Sequence, residues 1–162
     1  MNKFTEKVKL PTAIFHFVAR DKDGKIKWEE TISNLVTTEG GNDILTKYFK
    51  GSSYTAAWYC LLKGSGTSAV GDTLASHSGW TEITNYSGNR PALTFGNASA
   101  RSLAATAVTF TFNGAATVAG AGVCTVATGT SGILYNSANF TGGDKTMANG
   151  ETLDVTVTFS NS

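Results

Sequence analysis

Charged residues are scarce in this 162-residue chain, and they are unevenly distributed. Asp, Glu, Lys and Arg make up 15% of the sequence, against about 25% in a typical globular protein. Residues 1–50 carry nine basic and seven acidic side chains, whereas residues 51–162 carry four and five. The net charge of +1 offers no electrostatic footprint for nucleic acid. Because a monomer ordinarily surrounds itself with charge, the charge-poor part favours an assembled state, and self-association is one expectation.

Other absences exclude further classes of protein. The sequence contains no run of about 18 apolar residues, so no membrane-spanning helix and no membrane partner are expected. Its first residues lack the apolar region of a signal peptide, which makes the cytoplasm the expected place of synthesis. His16, His77, Cys60 and Cys124 stand far apart without metal-ligand spacing, so we expect neither a metal nor a cofactor. The two cysteines lie in apolar, strand-like segments and are expected to be buried free thiols.

Alternation of apolar and polar residues is what the sequence does contain. Residues 12–20 and 25–32 predict a β-hairpin around the turn D-K-D-G at 21–24. Apolar groups occupy both faces of 12–20, with Ile14 and Val18 on one and Phe15, Phe17 and Ala19 on the other, so we expect this strand to be covered on both sides.

Further short strands follow at intervals of 8–12 residues, separated by turn residues. Together with the hairpin they predict one domain over residues 1–162, a mainly β, antiparallel β-sandwich or jelly roll. Residues 64–72 are expected to form a flexible loop. The further predicted strands are 54–63, 80–84, 91–95, 103–112, 117–128, 132–135, 138–140 and 152–160.

Residues 38–50 predict one α-helix in a connection between strands. Thr37 or Thr38 can cap its start, and Gly51 can end it. Four apolar residues at helical spacing predict one buried stripe: Ile44, Leu45, Tyr48 and Phe49. Gly40 and Gly41 in the first turn suit close approach to a strand, whereas a phosphate-binding loop would need the Walker spacing that is missing here.

Residues 72–95 hold the densest mixture of titratable, aromatic and turn-forming side chains. His77 is flanked by serines, but no G-x-S-x-G elbow surrounds it. Arg90 is expected to pair with Glu82 or Asp72, or to stack on a neighbouring aromatic ring. These groups lack the oriented partners that acid–base or nucleophilic catalysis requires, so we expect no enzymatic activity.

The acidic residues near the end of the chain give no better support for catalysis or metal binding. Asp144, Glu151 and Asp154 have no aromatic sugar platform beside them in sequence, and glycoside hydrolysis needs two carboxylates across a cleft. The segment G-G-D at 142–144 lacks the series of oxygen ligands that a calcium loop supplies.

Residues 1–11 alternate polar and apolar side chains and then meet a proline. The pattern fits an extended arm docked on a neighbour as well as a frayed terminus. Because aromatic and arginine side chains dominate protein interfaces, we expect partner contacts from this arm and from residues 72–95. Trp80 is expected to anchor the core, and Tyr86 or Arg90 to present a partner-facing edge. The candidate contact residues are Lys3, Phe4, Lys7, Lys9, Trp80, Tyr86 and Arg90.

Six segments together resemble a known group of proteins. They are N-L-V-T-T-E-G-G-N-D-I-L-T-K-Y-F (34–49), A-A-W-Y-C-L-L-K (56–63), D-T-L-A-S-H-S-G-W-T-E (72–82), N-Y-S-G-N-R-P-A (85–92), G-I-L-Y-N-S-A-N-F-T-G-G-D (132–144) and N-G-E-T-L-D-V-T-V-T-F (149–159). In this order they resemble small virion structural proteins of tailed bacteriophages, and the resemblance covers most of the chain after the hairpin. It has no catalytic motif to transfer.

The resemblance implies a non-enzymatic structural role in the virion. One expectation is a capsid decoration (cement) protein that bridges subunits of the major capsid protein and acts by adding buried contact area. A second is a tail, head–tail or fibre component. A third, from a different class, is a carbohydrate-binding or hydrolytic β-sandwich, which requires a cleft with clustered carboxylates and exposed aromatic rings.

Overall fold

The computed structural model describes residues 11–51, 53–54 and 56–161. This part of the chain is mainly β, with antiparallel sheets and one short α-helix, which confirms the predicted β-sandwich class. All of the predicted arm except Pro11 lies outside the described residues. The strands are β1 Thr12–Arg20, β2 Ile26–Ser33, β3 Leu35–Val36, β4 Tyr59–Gly66, β5 Trp80–Ile83, β6 Ser102–Ala104, β7 Val108–Thr111, β8 Ala116–Val118, β9 Gly120–Cys124, β10 Leu134–Asn139, β11 Lys145–Met147 and β12 Thr152–Ser160.

Two five-stranded antiparallel sheets form the sandwich. The first has the order β2-β1-β12-β6, and β7 also pairs with β12. The second has the order β3-β10-β9-β4-β5, and β8 and β11 form a separate pair. Strands β1 and β12 are in register from Thr12 opposite Ser160 to Arg20 opposite Thr152. The predicted β1–β2 hairpin is confirmed, and Gly24 in its turn has φ +81°.

The main core lies between the two sheets. Phe15 and Phe17 of β1 and Val155 of β12 belong to the same buried cluster as Leu62 of β4 and Val123 of β9. Burial along β1 alternates: Phe15 and Phe17 are buried, Ile14 and His16 are exposed, and Val18 is half-buried. The expectation that β1 is covered on both sides is therefore wrong, because Ile14 on its outer face is exposed.

The second sheet is the one covered on both faces. A second buried cluster lies on its outer side, where Leu61 of β4 and Cys124 of β9 pack with Leu74 and Trp80. The predicted free thiols are confirmed: Cys60 belongs to the main core and Cys124 to the outer cluster, so the two cysteines face opposite sides of the sheet. Burial raises the pKa of both thiols.

Several predicted strands are divided, merged or shifted. The segment 103–112 splits into β6 and β7, because both pair with β12 at different positions along it. The segment 117–128 splits at Ala119, because β8 pairs with β11 whereas β9 pairs with β4 and β10.

The remaining differences are smaller. The two predicted pieces between 132 and 140 form the single strand β10, and the residues at 91–95 make only isolated bridges. Strand β4 begins later than predicted and continues through Gly66 into the predicted loop.

The predicted helix begins where expected but changes type. Helix α1, Thr38–Ile44, is followed directly by a π-helix, Leu45–Phe49. The Thr37 hydroxyl accepts a hydrogen bond of 3.0 Å from the Gly40 amide, which confirms the predicted cap. A Cβ atom at Gly40 would lie 2.3 Å from the Tyr135 carbonyl oxygen, so this glycine permits close approach to β10.

A Gly40→Ala substitution should therefore destabilise the protein. At an exposed position inside a helix, a Gly→Ala change stabilises the folded protein by about 1 kcal/mol. Here the added methyl group would overlap the β10 backbone, so we expect the free energy of unfolding to fall by about 1–3 kcal/mol. Urea denaturation measures the free energy of unfolding. Gly71→Ala is the matched control, since a Cβ there meets nothing within 4 Å. A Gly40→Ala protein as stable as this control would contradict the packing of α1 on β10.

Candidate functional site

Arg90 is fully engaged within the fold. Its Nε and Nη2 donate to the two carboxylate oxygens of Glu82 at 2.7 and 2.6 Å. Its Nη1 donates to the carbonyl oxygens of Val126 and Gly129 at 3.1 and 2.9 Å. The expected pairing of Arg90 with Glu82 is confirmed. The expectation of a partner-facing arginine is wrong, because the side chain is buried and each guanidinium nitrogen already has an acceptor.

Tyr86 is also a core residue rather than a contact residue. It is 6% exposed, and its ring packs edge-on against Phe110 with 4.8 Å between the ring centres. Burial, followed by the negative charge of Glu82, raises the pKa of its hydroxyl. The prediction of a partner-facing edge at Tyr86 is therefore wrong.

Trp80 anchors the outer cluster of the second sheet. It is 4% exposed, which confirms the expected core position and contradicts its candidacy as a partner contact. Its indole Nε1 donates to the Asp72 carboxylate at 2.9 Å, and the His77 ring stacks on it at 3.9 Å. His77 Nδ1 lies 3.0 Å from the Trp80 carbonyl oxygen, so this imidazole is bound to the backbone of the strand it covers.

Lys63 is a buried cation next to Trp80 that the sequence did not reveal. Its Nζ donates to the carbonyl oxygens of Gly64 and Gly66 and lies 5.5 Å from the centre of the Trp80 ring. Burial lowers the pKa of the amine, and the negative charges of Asp144 and Asp72 oppose this shift. Backbone carbonyls thus replace the water that this ammonium group loses on folding.

The acidic residues of the C-terminal part occupy separate positions. Glu151 pairs with Lys27 at 2.6 Å, and Asp154 lies 3.5 Å from Arg20. Asp144 accepts a hydrogen bond from the Ser65 hydroxyl. Among residues 11–51, 53–54 and 56–161, no group of three or more His, Cys, Asp or Glu side chains is placed to hold a metal ion.

Four of the eight exposed large apolar side chains among the described residues, including the two most exposed, lie on and after the π-helix. Tyr48 is 80% and Phe49 75% exposed, and Leu45 and Tyr54 are about half exposed. We call these four residues the aromatic face. The predicted buried stripe is wrong, because Leu45, Tyr48 and Phe49 are exposed and only Ile44 packs partly against the main core.

Two apolar grooves border the aromatic face. The first, of about 230 Å³, is lined by Asp43, Ile44, Lys47, Tyr48, Tyr54 and Trp58. The second, of about 200 Å³, is lined by Pro11, Ile44, Trp58, Phe95, Leu103, Tyr135 and Phe159. Ile44 and Trp58 line both grooves, so the grooves adjoin each other, and the aromatic face borders the first groove through Tyr48 and Tyr54.

The charged groups beside this surface neutralise each other. Lys47 pairs with Asp43 one helical turn away at 2.9 Å, and its Nζ lies 4.9 Å from the centre of the Tyr54 ring. The Trp58 indole Nε1 donates to the Tyr54 hydroxyl at 2.8 Å, which occupies its polar edge.

The predicted contact residues Lys3, Phe4, Lys7 and Lys9 lie outside the described residues and stay predictions. Pro11, where the described chain begins, lines the second groove. Its carbonyl oxygen accepts a hydrogen bond of 2.7 Å from the Tyr135 hydroxyl. Pro11 therefore lies at the edge of the apolar surface.

No protein-family model, curated protein or solved structure matches this chain. In the described part, neither helical segment has the length and apolar character that crossing a membrane requires. Function is therefore inferred from the contacts and exposure of the chain's own residues.

The buried pair Glu82–Arg90 gives a first test of these assignments. Removing one partner leaves an uncompensated buried charge, so Arg90→Ala should cost about 3–5 kcal/mol in the free energy of unfolding. Arg20→Ala removes the more exposed pair with Asp154 and should cost about 1 kcal/mol or less. Urea denaturation measures both. Equal costs for the two variants would contradict the assignment of Arg90 and Glu82 as a buried ion pair.

The carboxyl group of Glu151 should make the free energy of unfolding depend on pH. Burial raises the pKa of its carboxyl, but hydrogen bonds from the Lys27 ammonium and the Ala148 amide outweigh burial and lower the pKa below 4.5. A lowered folded-state pKa contributes stability that is complete above the unfolded-state value and is lost as the pH falls through the folded-state value.

Glu151→Gln should therefore flatten the fall in the free energy of unfolding below pH 4.5, measured by urea denaturation over a pH series. Lys27→Met should weaken the same dependence by removing the main hydrogen-bond donor. An unchanged acid slope in both variants would contradict the assignment.

Proposed function

We propose that this protein is a non-enzymatic structural protein of a bacteriophage virion, and that it decorates the capsid by binding the major capsid protein. The aromatic face is the observation that carries the proposal. The buried cations of this chain bond internally, but three exposed aromatic side chains and Leu45 lie on and just after one short helix. An exposed apolar patch of this kind marks a surface that another protein covers. The resemblance of its segments to small virion proteins of tailed bacteriophages is the reason for proposing a virion as the assembly.

Covering this surface favours the assembled state. Fully burying one large apolar side chain contributes about 1.5–3 kcal/mol. A protein that binds only to the assembled shell stabilises it by mass action, and repetition over the shell multiplies a modest contribution at each site. A rigid β-sandwich with internally paired charges is suited to this role, because binding requires little reordering of its core.

The segment before Pro11 is the proposed contact with the capsid. Phe4 offers an aromatic anchor, and Lys3, Lys7 and Lys9 offer positive charge for acidic groups on the shell. The buried positions of Trp80, Tyr86 and Arg90 remove them from this contact. The aromatic face is then available for a contact between neighbouring copies of the decoration protein or for a further contact with the shell.

Counting and locating the protein in purified particles tests the proposal. A decoration protein is expected in hundreds of copies over the head, and shells that carry it should withstand higher temperature than shells that lack it. A handful of copies located at the tail would overturn the capsid role and favour a tail component.

Substitution of the N-terminal lysines tests the proposed contact. Replacing Lys3, Lys7 and Lys9 by Ala should weaken binding to shells and reduce its dependence on salt, because charge attraction is lost. Lys22→Ala with Lys25→Ala is the control, since both lysines are exposed in the β1–β2 turn. Equal binding by the two sets of variants would contradict a basic contact at the start of the chain.

A further inference from the structure

We propose that the aromatic face is covered by the same face of a second copy of this chain, giving a two-fold symmetric dimer. This inference rests on the proposed function only in taking the aromatic face as an assembly contact. In a two-fold interface the same patch serves both copies, so it must complement itself. Shape, charge and area of the patch each meet this requirement.

The shape of the surface combines projections with hollows. Tyr48 and Phe49 project, with 80% and 75% of their surface exposed. Beside them lie the two apolar grooves of about 230 and 200 Å³. An apolar cavity of about 150 Å³ is enough to bind benzene, so each groove has room for an aromatic ring. A projecting ring of one copy can fill a groove of the other while the reverse contact forms by symmetry.

The charges on this surface are more compatible with a second copy of the same surface than with a strongly charged partner. Asp43 and Lys47 form an ion pair within one chain, so two such pairs can approach each other without net repulsion. Lys50 at the end of the π-helix is exposed and can stay in water at the rim. A partner of strong opposite charge would find no matching cluster here, whereas a second neutral apolar face is complementary.

The exposed apolar area of the face supplies about half of the surface that a standard dimer interface buries on each partner. A buried aromatic side chain contributes about 150–250 Å². With their observed exposures, the three aromatic rings and Leu45 therefore offer on the order of 400–500 Å² of apolar surface per copy. A standard interface buries about 800 Å² per partner. The groove walls formed by Trp58, Phe95 and Phe159, together with the polar rim, extend the patch toward that value.

Molecular mass in solution tests the inference. Sedimentation equilibrium of the full chain over a range of concentrations should give the mass of two chains. Phe49→Ser and Tyr48→Ser should each weaken dimerisation on the order of tenfold or more, because centrally placed aromatic side chains dominate such contacts. Both residues are exposed in the single chain, so the variants should keep its far-UV circular dichroism and its free energy of unfolding per chain.

Two exposed apolar residues away from the face provide matched controls. Ile26→Ser in the hairpin and Val70→Ser in the connection between β4 and β5 also remove exposed apolar surface, since these residues are 53% and 56% exposed. These variants should dimerise like the unaltered chain. An unaltered chain that stays monomeric at high concentration would overturn the inference. Control substitutions that weaken dimerisation as much as Phe49→Ser and Tyr48→Ser would also overturn it.

Shell binding by the same variants separates this inference from the proposed function. A Phe49→Ser chain that is monomeric and still binds shells, though more weakly, is the expected result, because pairing doubles the number of capsid contacts. A monomeric unaltered chain whose shell binding is abolished by Phe49→Ser would assign the face to the capsid, overturning the dimer while keeping the function. A dimer that binds no shells would overturn the function and leave the dimer in place.

Discussion

The pairing of the first and last strands is the interaction on which the rest of the fold depends. Strands β1 and β12 are joined from Thr12–Ser160 to Arg20–Thr152, and every other strand of the first sheet attaches to one of them. Their inward side chains, including Phe15, Phe17 and Val155, form much of the main core. Because these strands come from opposite ends of the chain, the sandwich closes only after nearly all of the sequence is available. Such non-local pairing slows folding, and it also brings the two ends of the described region into one sheet.

The strands that could be predicted were those with clear alternation and clear ends. The β1–β2 hairpin has a D-K-D-G turn, and β12 alternates apolar and polar residues along its whole length. The segments 103–112 and 117–128 also alternate, but alternation does not reveal where a chain leaves one neighbouring strand for another. At Ala119–Gly120 the chain passes from the small β8–β11 pair into the second sheet. Local residue patterns contain no information about that exchange of partners, since it is decided by distant strands.

Residue type was also an incomplete guide to the contact surface. Arginine and tyrosine are frequent at interfaces, yet both are buried here. Arg90 pairs with Glu82, eight residues earlier, and Tyr86 packs against Phe110. The pairing of Arg90 with Glu82 was predictable from their proximity in sequence, but its burial depends on the 126–129 turn that folds over it. Conversely, the apolar spacing after Ile44 correctly predicts a helix and wrongly predicts a buried stripe. The spacing places these side chains on one face of the helix but does not reveal whether a neighbouring strand covers that face, and here only Ile44 packs partly against the core.

The contact between Gly40 and β10 has a mechanical consequence. Because the α1 backbone lies directly against the Tyr135 carbonyl, with Thr37 bonded to the same strand, the short helix cannot tilt without separating from the second sheet. Strand β10 lies next to β9 in that sheet, and β9 is buried along its full length. A pull on the side chains that follow α1 is therefore transmitted into the centre of the sandwich rather than taken up by a yielding loop.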